Sequence, residues 1–278
     1  MCEISSKAIR INRLNGTMMK DKPDLTDNGS CCHVIFLHGL GGDRNQWLNL
    51  LPVDFPFQMI VPDMPGHGHN NRIPDSGYSF NSLANEVKDI MDEKPGQQYI
   101  LAGISMGAGI ALCLAHKYPD RISKAILVRP AWLNNPFPEN LDLLYRLGLK
   151  WTGSSTEDTR QWLLKDKDYV LMKKESEACA RSVEGQLKRP DPVLAARTLT
   201  EMCSDAPLRK IDDIESIRVP MLIIGSERDH MHPLHIARQL YQWLPDASLT
   251  QIASRYHSPE QHKKELNTIL GKFLIGDR

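Results

Sequence analysis

The chain has 278 residues, enough for one large α/β domain with a sizeable core or for two small ones. Its 34 basic and 34 acidic side chains cancel, and no basic cluster stands out, so nucleic acid and anionic membrane surfaces are poor partners and a small molecule is the better one. The six cysteines, Cys2, Cys31, Cys32, Cys113, Cys179 and Cys203, lack framework spacing, and Met1 to Lys7 lack a cationic stretch leading into an apolar one; reduced thiols, no signal peptide and a cytoplasmic protein are expected.

Lys7 to Met18 allows an edge strand or hairpin, with a polar loop from Lys20 to Ser30 after it. The first core strand is His33 to Leu37, and Gln58 to Val61 is the next. Ser79 to Glu93 is helical in period, with Ser79 as cap and Leu83, Val87, Ile90 and Met91 on one face. Gln98 to Leu101 is a third apolar strand and Gly109 to Tyr118 a helix closed by Pro119. The whole uncharged run from Tyr99 to Ala115 approaches the roughly 18 apolar residues of a membrane span, but its glycines and Ser105 fit a buried strand turning into a buried helix. Further strands are expected at Lys124 to Val128, Pro220 to Ile224 and Ser248 to Ile252, with helices at Leu234 to Leu244 and Pro259 to Leu274. Continuous apolar strands alternating with helices mark a doubly wound, mostly parallel sheet with crossover helices, an α/β fold. From Pro130 the alternation stops; charge-rich helical patterns such as Glu157 to Leu164 and Val193 to Met202 predict an inserted helical cap. The core is therefore expected over residues 1–129 and 206–278, with the cap over 130–205.

The pattern Gly103-Ile104-Ser105-Met106-Gly107 lies between a predicted strand and a predicted helix. A strand that turns sharply into a helix strains its corner residue and brings neighbouring chain close, so the flanking positions need glycine. Ser105 then stands at the carboxyl end of the sheet and at a helix start, where open N–H groups favour a developing negative charge. These features predict a nucleophile rather than a turn residue. A serine hydroxyl needs a base, and the base a carboxylate that sets its tautomer. Downstream, Asp229 follows the strand at 220 to 224, and His257 follows the one at 248 to 252, in the order Ser, Asp, His.

Glu227 competes for the acid role. His262 competes for the base but lies within a helical pattern, whereas His257 lies in a loop. His230, His232 and His235 read as loop or helix-start residues without metal-ligand spacing, so no metal and no cofactor are expected. His38-Gly39-Leu40-Gly41-Gly42 can bring the Leu40 N–H towards Ser105, making a two-donor oxyanion hole with the N–H of Met106. His38 reads as ordering that loop, and Asp63, His67 and His69 as loop hydrogen bonders. Trp132, beside the cap, and Arg129, past a strand end, are candidate substrate contacts. Phe137, Leu141, Leu144, Tyr145, Trp151 and Trp162 either line the cleft or pack the cap.

The motifs "HGLGG", "DMPGHG", "GISMG", "GSERD" and "RYH", in that order, resemble those of the α/β-hydrolase superfamily from about His33 to Leu274. The resemblance implies Ser105 as nucleophile, Asp229 as acid, His257 as base, Leu40 and Met106 as oxyanion hole, and a cap inserted after Val128. One departure is Tyr256, where the family usually has glycine before the base. The expected activity is hydrolysis of an ester, thioester or lactone through an acyl-enzyme. Acyl transfer, carbon–carbon bond hydrolysis and a small-molecule receptor with a retained triad are the alternatives.

Overall fold

The computed structural model describes residues 33–275, together with the backbone of 13–14 and 17–20. Strands β1 (Arg13–Leu14), β2 (Thr17–Lys20), β3 (His33–Leu37), β4 (Gln58–Val61), β5 (Tyr99–Ile104), β6 (Ile122–Val128), β7 (Met221–Gly225) and β8 (Ala247–Gln251) form one eight-stranded sheet, ordered β1-β2-β4-β3-β5-β6-β7-β8. From β4 to β8 every neighbouring pair is parallel; β1 and β2 form the antiparallel edge expected near Lys7 to Met18. Cys2, Cys31, Cys32 and the expected loop interior lie outside the described residues.

The apolar strand runs are explained by burial on both faces. In β3, Ile35 and Leu37 join one hydrophobic cluster while Val34 and Phe36 join another; Met221 and Ile223 divide from Leu222 and Ile224 in the same way. Period-two geometry sends alternate side chains to opposite faces, and each face meets helices here. The first face carries α2 (Phe80–Asp92), α3 (Met106–Lys117), α9 (Ile211–Glu215) and α10 (Leu234–Trp243), and the second α1 (Asn45–Leu48) and α11 (Pro259–Ile275). Helix α2 starts at the expected cap: Ser79 Oγ accepts from the Ser82 N–H, and Ser82 Oγ accepts from the Ser79 N–H. The uncharged run from Tyr99 divides into β5 and α3, and among the described residues no helix is long and apolar enough to cross a membrane.

Five helices, α4 (Asp142–Trp151), α5 (Thr156–Leu163), α6 (Lys167–Glu175), α7 (Glu177–Glu184) and α8 (Pro192–Cys203), are inserted between β6 and α9. Their apolar residues, Leu144, Leu147, Leu163, Leu199 and Met202 among them, continue the first cluster. Polar ties hold the cap over the strand ends. The Tyr78 N–H donates to Glu201 Oε2 at 2.7 Å, the Phe80 N–H to Asp205 Oδ2 at 2.9 Å, and Arg189 Nη2 to the Gly66 carbonyl at 2.6 Å. Burial pushes Arg189 down to about 10, still far above neutrality, so this cation stays charged under the cap.

Candidate active site

Ser105 occupies the corner between β5 and α3 with φ 53° and ψ −110°. A left-handed φ is costly for a residue with a Cβ, and the surrounding backbone compels it here. A Cβ on Gly103 would lie 2.1 Å from the Gly107 carbonyl oxygen, and one on Gly107 would lie 2.2 Å from the Leu37 carbonyl oxygen. The two glycines therefore allow β3, β5 and α3 to meet at one point. Three further non-glycine residues lie in this backbone region, Arg129 (φ 48°), Phe137 (φ 53°) and Arg228 (φ 55°); Arg129, directly after β6, lines the same pocket as Ser105.

The loop after β3 approaches the same point: a Cβ on Gly39 would stand 3.3 Å from Ser105 Cβ. Gln46 Oε1 accepts from the Gly39 N–H at 2.7 Å, and Gln186 Nε2 from the cap donates to the Leu40 carbonyl at 3.3 Å. His38 is wholly buried; its Nε2 accepts from the Met64 N–H at 3.0 Å, which leaves the proton on Nδ1 to donate to the Gly39 carbonyl at 2.9 Å. Burial holds its pKa below the ordinary imidazole value, so it ties two loops together as a neutral ring. Asp63 and His67 likewise act within their loop. Asp63 accepts from Arg44 Nε and Nη2 and from the His69 N–H, and these bonds outweigh burial and lower its pKa. The His67 ring lies 5.0 Å from that of His38.

On the other side of Ser105, Asp229 is 4 % exposed while Glu227 faces solvent, so of the two carboxylates only Asp229 is enclosed. Its Oδ1 accepts from both the backbone N–H (3.0 Å) and Nδ1 (2.9 Å) of His232, and its Oδ2 accepts from Arg129 Nη1 at 3.2 Å. Burial alone would raise this carboxyl; His232 and Arg129 outweigh it and hold Asp229 far below the usual carboxylate range. His232 is buried, and burial lowers its pKa against the pull of Asp229, so at neutral pH it is a neutral imidazole with Nδ1–H on Asp229 and a lone pair on Nε2.

One pocket gathers these parts. It is lined by Gly39, Leu40, Ser105, Arg129, Trp132, Leu141, Leu144, Gln186, His232, Arg255 and Tyr256, among others. The structure thus brings Ser105, Leu40, Arg129 and Trp132 together, with Met106 next to Ser105 and Asp229 behind His232. It does not bring His257 to them. His257 is exposed, outside the pocket lining, with Nδ1 3.2 Å from Ser254 Oγ, and the loop presents Arg255 and Tyr256 inward instead. The departure at Tyr256 bears on this directly, because its partly buried side chain, with the hydroxyl enclosed, lines the pocket. His262 is no substitute: its Nδ1 bonds the Ala253 carbonyl at 2.8 Å, and burial brings its pKa down to about 4. Of the cap aromatics, Phe137 is 55 % exposed, and Trp162 stacks under the Arg146 guanidinium instead of lining the pocket.

No group of His, Cys, Asp and Glu among the described residues is arranged to hold a metal ion. Burial pushes the thiols of Cys113 and Cys203 up to about 12 and that of Cys179 up to about 11, so all three are protonated and inert at neutral pH.

The family model described as "alpha/beta hydrolase fold" matches residues 33–259. The chain belongs to the alpha/beta-hydrolase superfamily. It is similar to 2-hydroxy-6-oxo-6-phenylhexa-2,4-dienoate hydrolase of Burkholderia cepacia, 28% identical over 97% of this chain and 96% of the relative. It is also similar to 2-hydroxymuconate semialdehyde hydrolase of a Pseudomonas species, 30% identical over 45% of each chain, so that match spans under half of the relative's length. Among solved structures, MenH from S. aureus superposes with a TM-score of 0.72 at 19% identity, covering 94% of this chain and 98% of that one, a likeness of fold.

Within this alpha/beta hydrolase, His232, Arg255 and Gln186 are the pocket residues that sequence reasoning passed over. His232 carried a usable signal: it follows Asp229 by three residues in a turn, the spacing at which a carboxylate reaches both the backbone N–H and the ring of its neighbour. Gln186 carried none, since it arrives from the cap.

Proposed function

We propose that the chain is a serine hydrolase acting on an ester, thioester or lactone through an acyl-enzyme, with residues 1–129 and 206–278 as core and 130–205 as cap. The observation that carries this reading is the strained Ser105 in one pocket with the Leu40 loop and the Asp229–His232 pair. Ser105 Oγ attacks the carbonyl carbon while its proton passes to a neutral imidazole. The developing oxyanion is received by the N–H groups of Leu40 and Met106. The protonated imidazole returns its proton to the leaving group, and water then hydrolyses the acyl-enzyme by the same route reversed.

The imidazole we assign to this step is His232, whose Nδ1–H is held by Asp229 and whose ring lines the pocket with Ser105. His257 has the place in the chain order that the family pattern gives the base, but it is exposed and does not line the pocket. A second reading, hydrolysis of a carbon–carbon bond beside a carbonyl, is favoured by the likeness to the two named relatives, and it uses the same groups.

The test is a fluorophosphonate probe weighed by intact mass on wild type and on Ser105→Ala, His232→Asn and His257→Asn. One adduct per chain, lost in Ser105→Ala and strongly slowed in His232→Asn, supports the assignment. No adduct on folded wild type overturns the hydrolase reading, and loss in His257→Asn with retention in His232→Asn returns the base role to His257.

A further inference from the structure

The pocket around Ser105 contains more positive charge and more unused donors than the hydrolytic step requires. Arg129 is 3 % exposed and its Nη1 is paired with Asp229, but its Nε–H has no partner among the described residues. Trp132, 2 % exposed, leaves its Nε1–H unpartnered as well. Arg255 lines the same pocket; it lies against the Tyr256 ring at 5.1 Å and has no salt-bridge partner among the described residues. The positive charge of Arg129, the largest influence, and then burial lower the pKa of Arg255, as two close guanidinium groups should. Asp229 is the one carboxylate at this wall, and it is already shared between Arg129 and His232.

Buried donors without acceptors are costly, as is a half-buried cation without a salt-bridge partner, and such groups mark places where a ligand can supply the missing partner. With His232 neutral, the charges of Arg129, Arg255 and Asp229 leave the pocket with an excess of one positive charge. The Gln186 Oε1 atom, a lone unused acceptor on the opposite, cap-derived wall, does not alter that excess.

We infer that the substrate of this site carries a carboxylate besides its scissile carbonyl, and that this carboxylate is held by Arg255, Arg129 Nε and Trp132 Nε1. The inference rests on the serine-hydrolase reading and narrows it to anionic acyl substrates. It also fits the proton step. When His232 takes the Ser105 proton, a third cation forms beside two guanidinium groups, and a bound carboxylate restores the balance that Asp229 alone cannot. A planar guanidinium suits a carboxylate better than a single ammonium would, because it offers parallel N–H donors.

The experiment compares p-nitrophenyl hydrogen adipate with its methyl ester, the same acyl chain with and without the charge. It is run on wild type, Arg255→Gln, Arg255→Lys, Trp132→Phe and, as a control outside the pocket, Arg209→Gln, each checked for fold by circular dichroism. In wild type kcat/KM for the acid should exceed that for the methyl ester by about tenfold or more, as expected for one charged hydrogen-bonding partner. The ratio should fall towards one in Arg255→Gln, fall in part in Trp132→Phe, and be retained in Arg209→Gln. Arg255→Lys should keep part of it, which separates lost charge from lost packing if Arg255→Gln is unstable. A wild-type ratio of one or less, or a ratio untouched in Arg255→Gln, overturns the inference. Titrating adipate into each protein and following tryptophan fluorescence separates the two layers. If wild type neither labels with fluorophosphonate nor cleaves either ester, the hydrolase reading fails. Adipate binding that disappears in Arg255→Gln would then still uphold the carboxylate site, and no binding would sink it.

Discussion

The two sides of the pocket were specified in different ways. On the nucleophile side, Ser105, the Leu40 loop and Met106 stand where local pattern puts them, because backbone atoms of β3, β5 and α3 approach so closely that side chains are forbidden at Gly103 and Gly107. On the acid–base side, Asp229 lies where it was expected, but its imidazole partner is His232, three residues along, and His257 faces out. The first side is set by steric exclusion over five residues. The second depends on which of several loop residues finds room beside a carboxylate, and Tyr256 and Arg255 take that room in the 253–258 turn.

Replacing Ser105 should have the largest effect: Ser105→Ala is expected to lower kcat/KM on any cleaved ester by about 10⁴-fold or more without loss of fold. A smaller loss would mean that the elbow is structural. Next, His232→Asn should cost roughly 10²- to 10⁴-fold, the usual contribution of general base catalysis, while His257→Asn stays within about twofold. Steady-state kinetics on the two variants would reverse the contrast between the sides if the losses were interchanged.

Gly107→Ala should strain the nucleophile side itself, since its Cβ would lie 2.2 Å from the Leu37 carbonyl oxygen. A destabilisation of about 3 kcal/mol is expected, read as a lowered midpoint in urea. A midpoint equal to wild type would show that the close approach is not rigid.

The pH profile gives a more modest readout. In the proposed mechanism His232 accepts the proton as a neutral ring, and burial keeps its pKa below 6.5, so kcat/KM should be level through neutrality and fall, by roughly tenfold per pH unit, only under pH 6.5. His257→Asn should leave that limb in place, and a shift of the limb in that variant would count against His232. Gln186→Ala removes a 3.3 Å bond to the Leu40 carbonyl and should reduce kcat by no more than about threefold, as expected for one long neutral hydrogen bond.

Much of the fold was legible because its strands are buried on both faces, and a run such as Val34-Ile35-Phe36-Leu37 needs no partner to be recognised. Boundaries shifted where the elbow intervened. Helix α3 begins at Met106 rather than Gly109, because the chain turns straight out of β5 and its first glycines serve close packing rather than ending a strand. In the cap, α5 and α8 coincide with the helical patterns expected at 157–164 and 193–202, whereas α4, α6 and α7 were not marked out individually by the sequence. Trp132, Leu141 and Leu144 line the pocket, yet Phe137 and Trp162 do not, and all five have the same apolar character in the sequence.

By itself the sequence determined the alternating α/β order, the inserted helices, the strained serine corner and the acidic residue after β7, since each follows from local sterics or short-range periodicity. Only the tertiary structure decided which imidazole meets Asp229, that two arginines from the segments after β6 and β8 share one pocket, and that Gln186 of the cap reaches the Leu40 loop. Those outcomes depend on burial and charge between segments far apart in the chain, where desolvation and packing, rather than spacing, select the contact.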